Sequence, residues 1–215
     1  MRYPFKSGRI RKIVNQGTEG VDYLFWREKG FDIQKTINGL QGEILEIGGP
    51  TPDGYFFLDE VNFTRKAIIA NLEEKPWEAE EYNQKYARYV DKIIDVRELP
   101  YADGTLGMIF FSGLTVYSDD IKVSSQKQAD GLLHKAYSEL EAVGLGILKP
   151  ADAEVSLRVM AGLEAYRSLE SGGLLITDGY LPELLALERI GFKRKALISV
   201  YDDQPTLYYE MVFEK

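Results

Sequence analysis

The apolar positions change their period along the chain. Between about residues 19 and 39 they fall at Val21, Leu24, Phe25, Phe31, Ile33 and Ile37, the spacing of a helix or helix pair, with Gly30 as its break. From residue 42 onward, short apolar runs without clean alternation take over: 42–50 (GEILEIGGP), 66–72 (KAIIANL), 92–96 (KIIDV), 107–112 (GMIFFS) and 173–178 (GLLITD). Runs of this kind predict strands buried on both faces of a parallel sheet. Helical stretches are predicted between them over 77–89, 121–143 and 151–169. The tail reads as a helix over 181–190 ended by Gly191, then strands over 193–201 and 206–213. The polar turn Asp202-Asp203-Gln204-Pro205 between those two strands signals a hairpin. The expected fold is therefore α/β: a doubly wound, mostly parallel seven-stranded sheet with helices on both faces and a C-terminal antiparallel hairpin. Residues 1–18, polar and basic with Gly8 and Gly17, read as an arm.

Composition narrows the chemistry. The chain has 215 residues, enough for one medium-sized domain with its own core. It has no cysteine and a single histidine, His134, which removes thiolate metal sites, cysteine nucleophiles and multi-histidine centres. The net charge is −8 and the pI about 4.9. A nucleic-acid partner is not expected, because phosphate neutralisation needs a basic stripe. The basic N-terminal residues Arg2, Lys6, Arg9, Arg11 and Lys12 are too few and too mixed to supply one. An anionic membrane partner is disfavoured for the same reason. No apolar run approaches the roughly 20 residues of a membrane span, and the N-terminus lacks the apolar core of a secretory signal. Cytoplasmic residence is the expectation.

Four segments carry candidate chemistry. The first, ILEIGGPTPDGY (44–55), is a strand ending in an acidic residue and a glycine turn; glycine allows a tight turn and close approach of a ligand. The second, AIIANLEEKP (67–76), ends a strand on Asn71, with Glu73 and Glu74 just beyond. The third, IIDVRELPYADGTLGMIFFSGLTVYSD (93–119), combines a strand-ending Asp95, a Leu-Pro-aromatic turn, an Asp-Gly turn and a strand ending in Ser112. The fourth, AYRSLESGGLLITDGYLPELLALERIGFKRKAL (165–197), reads helix, Gly-Gly, strand, helix and Gly-Phe before the hairpin.

In this order the segments resemble the class I S-adenosylmethionine-dependent methyltransferase family, over about residues 42–215. The resemblance implies a Rossmann-like domain over 41–215, with an N-terminal arm and helical cap over 1–40 and a helical insertion at about 119–170. It implies S-adenosylmethionine as cofactor. Glu46 would lie near the cofactor's amino group, and Gly48 and Gly49 along its methionine portion. Asn71, with Glu73, would meet the ribose hydroxyls. Asp95 would accept a hydrogen bond from the adenine amino group, with Val96 against the ring, and Phe111 and Ser112 would lie beneath the cofactor. Two departures stand out: later glycines of the turn fall on Pro50 and Pro52, and Asn71 replaces the usual carboxylate. The insertion reads either as a lid over an acceptor site or as structural elaboration.

Methyl transfer from a sulfonium asks the protein mainly for alignment and desolvation. No nucleophile or metal is obligatory, and no catalytic residue is assigned. Candidate bases are Tyr117, Asp119 and Asp120, which follow the fourth strand. His134, mid-helix, reads as structural, and Tyr82, Tyr86 and Tyr89 read as packing. The expected function is methyl transfer to a small-molecule acceptor, with no nucleic acid or membrane as partner. The alternative is a non-catalytic binding or interaction module on the same fold. A nicotinamide-dependent dehydrogenase is disfavoured because the turn lacks G-x-G-x-x-G.

Overall fold

The computed structural model describes residues 9–11, 22–48, 67–72, 90–111, 114, 126–142, 152–202 and 204–215. Nine strands form one sheet: β1 (Arg9–Arg11), β2 (Asp22–Arg27), β3 (Glu43–Ile47), β4 (Ala67–Asn71), β5 (Lys92–Ile93), β6 (Leu106–Phe111), β7 (Leu169–Tyr180), β8 (Lys193–Asp202) and β9 (Gln204–Glu214). Among the described residues four helices accompany them: α1 (Ile33–Gly39), α2 (Gln126–Ala142), α3 (Asp152–Ser168) and α4 (Leu181–Ile190). The strand order is β1-β2-β8-β9-β7-β6-β3-β4-β5. The half from β7 to β5 is parallel, and β9 inserts antiparallel between β7 and β8.

The doubly wound expectation holds, with all seven expected strands in place and two more added. The added pair corrects the N-terminal reading. Residues 22–27 were expected to be helical, within a helical cap, but form a strand pairing antiparallel with β8 from Asp22↔Tyr201 to Arg27↔Ala196. Residues 9–11, expected to be part of a free arm, extend that edge. The physical reason is composition: DYLFWR is dense in aromatics, which favour a pleated surface. A run this short satisfies a helical spacing by chance. Among the described residues of this region only 33–39 is helical, and Gly30 does break the chain ahead of it, at φ +86°. Asp32 caps α1, its carboxylate accepting from Lys35 N at 2.9 Å. The predicted helix over 77–89, with Tyr82, Tyr86 and Tyr89, lies outside the described residues.

Every residue of β6 is buried, as expected of a central parallel strand. One face of the sheet presents Leu45, Ile47, Ile109, Phe111, Leu175 and Phe213 to a layer made by α2, α3 and α4. The opposite face presents Ile44, Met108, Phe110, Leu174, Ile176 and Val212, covered by Ile33, Ile37 and Leu40 of the α1 region. Each large side chain buried this way contributes about 1.5–3 kcal/mol. The helices of the predicted insertion belong to this core. Ala136 and Leu140 of α2, and Leu157, Ala161 and Ala165 of α3, pack under the sheet. In their described parts they are a structural layer.

The amino-terminal ends of the parallel strands are pinned tightly. A Cβ on Gly42 would overlap the backbone of Gly107, and one on Gly107 would lie 2.8 Å from Gly42 O. Only glycine lets β3 and β6 begin this close together. The Glu170 carboxylate, from β7, accepts from Gln41 N at 2.8 Å and Gly42 N at 3.0 Å. The carboxyl ends of the same strands are thereby set in fixed relative positions.

Two glycine substitutions should move stability in opposite directions. Gly42→Ala forces a methyl into backbone and should cost about 1–3 kcal/mol. Gly131→Ala, in α2 with nothing within 4 Å of its Cβ position, should gain roughly 0.4–1 kcal/mol. Thermal unfolding followed by circular dichroism checks both; a neutral Gly42→Ala would contradict the close approach.

Candidate functional site

In open α/β sheets, ligands bind outside the carboxyl ends of the strands. Here the relevant ends are those of β3, β4, β5 and β6, which lie side by side. On β3, Glu46 is only 4% exposed, flanked in register by Ile69 of β4 and Phe110 of β6. A carboxylate enclosed by apolar strands is unusual, and its place one residue before the strand's end makes it a candidate ligand group. Gly48 follows at φ +83°, a conformation that side chains with a Cβ rarely adopt. Its N–H donates to Ala70 O at 2.8 Å, so the turn leaves β3 tied to β4.

Asn71 ends β4. Its side-chain oxygen accepts from Leu72 N at 2.7 Å, and its backbone oxygen accepts from Ile94 N at 2.9 Å. It thus joins the β4 turn to the segment leaving β5. Asp95 and Arg97 pair just past the end of β5. The carboxylate accepts from Arg97 N and Nε, each at 2.9 Å to Oδ1, and from Nε at 3.1 Å and Nη2 at 2.6 Å to Oδ2. This hydrogen bonding from Arg97 holds the Asp95 carboxyl below its usual range, against the opposing effect of burial. The same contact raises Arg97.

Val96 is 5% exposed and sits in the core with Ile94 and Leu99. Phe111 is fully buried in the same core, so its backbone, and not its ring, lies at the end of β6. Among the expected site residues, Glu46, Gly48, Asn71 and Asp95 come together along adjacent strand ends. Gly49, Glu73 and Ser112 lie outside the described residues, as do Pro50, Pro52, Glu74, Tyr117, Asp119 and Asp120. His134 is exposed on α2, consistent with a structural reading. Among the described residues, no cluster of His, Cys, Asp or Glu could hold a metal ion.

Two groups in this region carry structural weight that their types alone did not announce. Arg167, on α3, clamps the turn between β5 and β6. Its Nη2 donates to Leu99 O at 2.9 Å and Glu164 Oε2 at 2.8 Å, and its Nη1 to Tyr101 O at 2.7 Å and Asp103 Oδ1 at 2.8 Å. Leu99 N donates to Glu164 Oε2 at 3.1 Å. Glu164 first, then Asp103, holds the Arg167 guanidinium above its ordinary pKa. The Leu-Pro-aromatic turn predicted from sequence is therefore fixed from α3.

The second group lies at the end of β7. Arg158 Nη2 is 3.3 Å from Asp178 Oδ1, and Arg158 Nη1 is 3.7 Å from Glu183 Oε1. Glu183 is fully buried, and its Oε2 accepts from Tyr180 N at 2.8 Å at the start of α4. The only sequence signal was Glu183 in the third position of the helix, the place of a capping carboxylate.

No family model matches the chain, and no curated protein matches it. Solved structures match at low identity. A TehB-like SAM-dependent methyltransferase from Corynebacterium glutamicum is 13% identical, with 87% of this chain and 90% of that one covered and a TM-score of 0.40. A SAM-dependent methyltransferase from Thermotoga maritima, described as a possible histamine N-methyltransferase, is 15% identical, with 81% and 83% covered and a TM-score of 0.41. A SAM-dependent methyltransferase from Aquifex aeolicus is 15% identical, with 84% and 86% covered and a TM-score of 0.40. All three likenesses are distant.

The Asp95–Arg97 pair should leave a pH signature. Because the folded pKa of Asp95 is depressed, its stabilisation is present above its unfolded value, near 3.8, and is lost as pH falls through the lower folded value. Asp95→Asn should cost about 1 kcal/mol at pH 7, measured by urea unfolding. The gap to the wild type should narrow below about pH 4. A gap independent of pH would contradict the pairing.

Proposed function

We propose that this chain is an S-adenosylmethionine-dependent methyltransferase acting on a small-molecule acceptor. One observation carries the reading: the parallel half of the sheet brings Glu46, Gly48, Asn71 and Asp95 to adjacent carboxyl ends, at and beside a turn that needs glycine. Bound there, S-adenosylmethionine would supply a methyl group already activated on sulfur. Glu46 offers a low-dielectric carboxylate to the cofactor's ammonium. Gly48 and Gly49 let the methionine portion approach the backbone. Asn71 and Glu73 serve the ribose hydroxyls, Asp95 and Val96 the adenine side, and Phe111 and Ser112 the floor.

The chain's chemical contribution is alignment and exclusion of water. An acceptor that must lose a proton requires a base, for which Tyr117, Asp119 and Asp120 are the candidates. The net charge of −8 favours a small acceptor over nucleic acid. No helix among the described residues is long and apolar enough to cross a membrane, and cytoplasmic residence belongs to the same proposal. A second reading, a non-catalytic module, draws support from one observation: the Asp95 carboxylate is already engaged by Arg97.

Calorimetric titration with S-adenosylmethionine and S-adenosylhomocysteine, with NADH as control, tests the reading. The expected result is saturable binding of both sulfur compounds at one per chain. Binding should weaken roughly tenfold or more, at least 1.4 kcal/mol, in Gly48→Val, with a smaller loss in Asn71→Ala. Failure of both compounds to bind at millimolar concentration, or unchanged affinity in both variants, would reject it.

A further inference from the structure

Asp95 opens a turn just past the end of β5. Glu98 N closes it by donating to Asp95 O at 3.1 Å, and Val96 and Leu99, which flank Arg97 and Glu98, are buried in the core. The anchored turn brings three N–H groups of Arg97 onto the Asp95 carboxylate. The backbone N–H and Nε–H reach Oδ1 at 2.9 Å each and Nη2 reaches Oδ2 at 2.6 Å, while the same Nε–H is shared with Oδ2 at 3.1 Å. A carboxylate offers about four acceptor positions, so three donors leave one open. Exposure shows on which side it lies: the Arg97 side chain is 10% exposed and that of Asp95 31%. Arg97 holds the carboxylate from the protein side, and the open position faces outward at the strand end.

An aspartate carboxylate by itself turns readily about its terminal torsion. A guanidinium fork bound at two points fixes its plane, which a point charge such as lysine does not do. A ligand that meets a fixed acceptor need not order it on binding. The same contact keeps the carboxyl ionised, since hydrogen bonding from Arg97 lowers its pKa against the opposing effect of burial. An ionised carboxylate accepts and never donates. Pairing with a cation reduces its charge, but the open position still presents a lone pair, which an amino group satisfies and a carbonyl oxygen does not.

We propose that Arg97 is a positioning residue for the nucleoside subsite: it fixes the Asp95 carboxylate with one acceptor position toward the ligand, and so sets the preference for a 6-amino over a 6-oxo purine. Arg97 acts through Asp95 and itself makes no contact with the ligand. This inference rests on the reading of the strand ends as a cofactor site.

Titration of the full chain with S-adenosylhomocysteine and with S-inosylhomocysteine, its 6-oxo counterpart, tests the inference. The wild type should prefer the adenosyl compound by about tenfold or more. In Arg97→Met the preference should fall to about threefold or less, through weaker adenosyl binding, with the inosyl compound little changed. Arg97→Lys, which keeps the charge but not the fork, should also lose at least about half of the preference, and it decides the matter if a thermal melt shows the Met variant unfolded. Equal weakening of both compounds, with the preference intact in the folded variant, would make Arg97 merely structural and overturn the inference. So would a preference that grows when Arg97 is replaced, or binding of both compounds without preference in the wild type; each leaves the cofactor site standing. Binding of neither compound by the wild type would overturn both the site and the inference.

Discussion

Where β3 and β6 begin, backbone meets backbone with no side chain between. Gly42 and Gly107 touch there, and Glu170 from β7 ties down the N–H groups of Gln41 and Gly42. Three neighbouring strands are thereby locked at their amino ends. Parallel strands cannot be joined by tight hairpins, so their relative register must come from such cross-chain contacts and from the core. With the lower rim fixed, the upper rim follows: Glu46, Gly48, Asn71 and Asp95 emerge at set positions along adjacent strand ends. Arg167 extends the same logic to the β5–β6 turn, whose carbonyls at Leu99 and Tyr101 it holds from α3.

Polar groups near the strand ends are neutralised by close partners. Asp95 has Arg97, Glu164 and Asp103 have Arg167, and Asp178 and Glu183 share Arg158. The Arg158–Glu183 pair is buried, and such a pair adds little net stability relative to apolar packing although breaking it is costly; the more exposed pairs contribute less. They act here mainly as geometric constraints. Arg158 links α3 to the end of β7 and the start of α4, and Arg167 links α3 to the turn that carries the candidate subsite. One helix of the long connection between β6 and β7 thus ties down a loop at the upper rim through Arg158 and the entry to β6 at the lower rim through Arg167.

The central strands were legible in the sequence because residues buried on both faces leave continuous apolar runs, as in LGMIFF of β6. The last helix was legible because Pro182 near its start and Gly191 at its end punctuate it; Gly191 takes φ +128°. The N-terminal strands were not. Their partner, β8, lies at the other end of the chain, and the spacing of Val21, Leu24 and Phe25 suits a helix equally well. At the candidate site, the strand-end positions of Glu46, Gly48, Asn71 and Asp95 were legible from the apolar runs that precede them. The engagement of Asp95 by Arg97 was visible only as an Asp-x-Arg sequence, which says nothing of geometry until the turn is formed. Arg167 was hidden further, because its acceptors are backbone oxygens more than sixty positions away.

The central claim is that a nucleoside cofactor binds across the carboxyl ends of β3, β4 and β5. Hydrogen–deuterium exchange with and without S-adenosylhomocysteine tests it most directly, because it reports where a ligand sits and not only whether one binds. The account predicts added protection in peptides spanning 43–48, 67–72 and 91–97, with α2 and the β8–β9 hairpin unchanged. Protection confined to α2 or the hairpin, with those three strand ends unaltered, would contradict it.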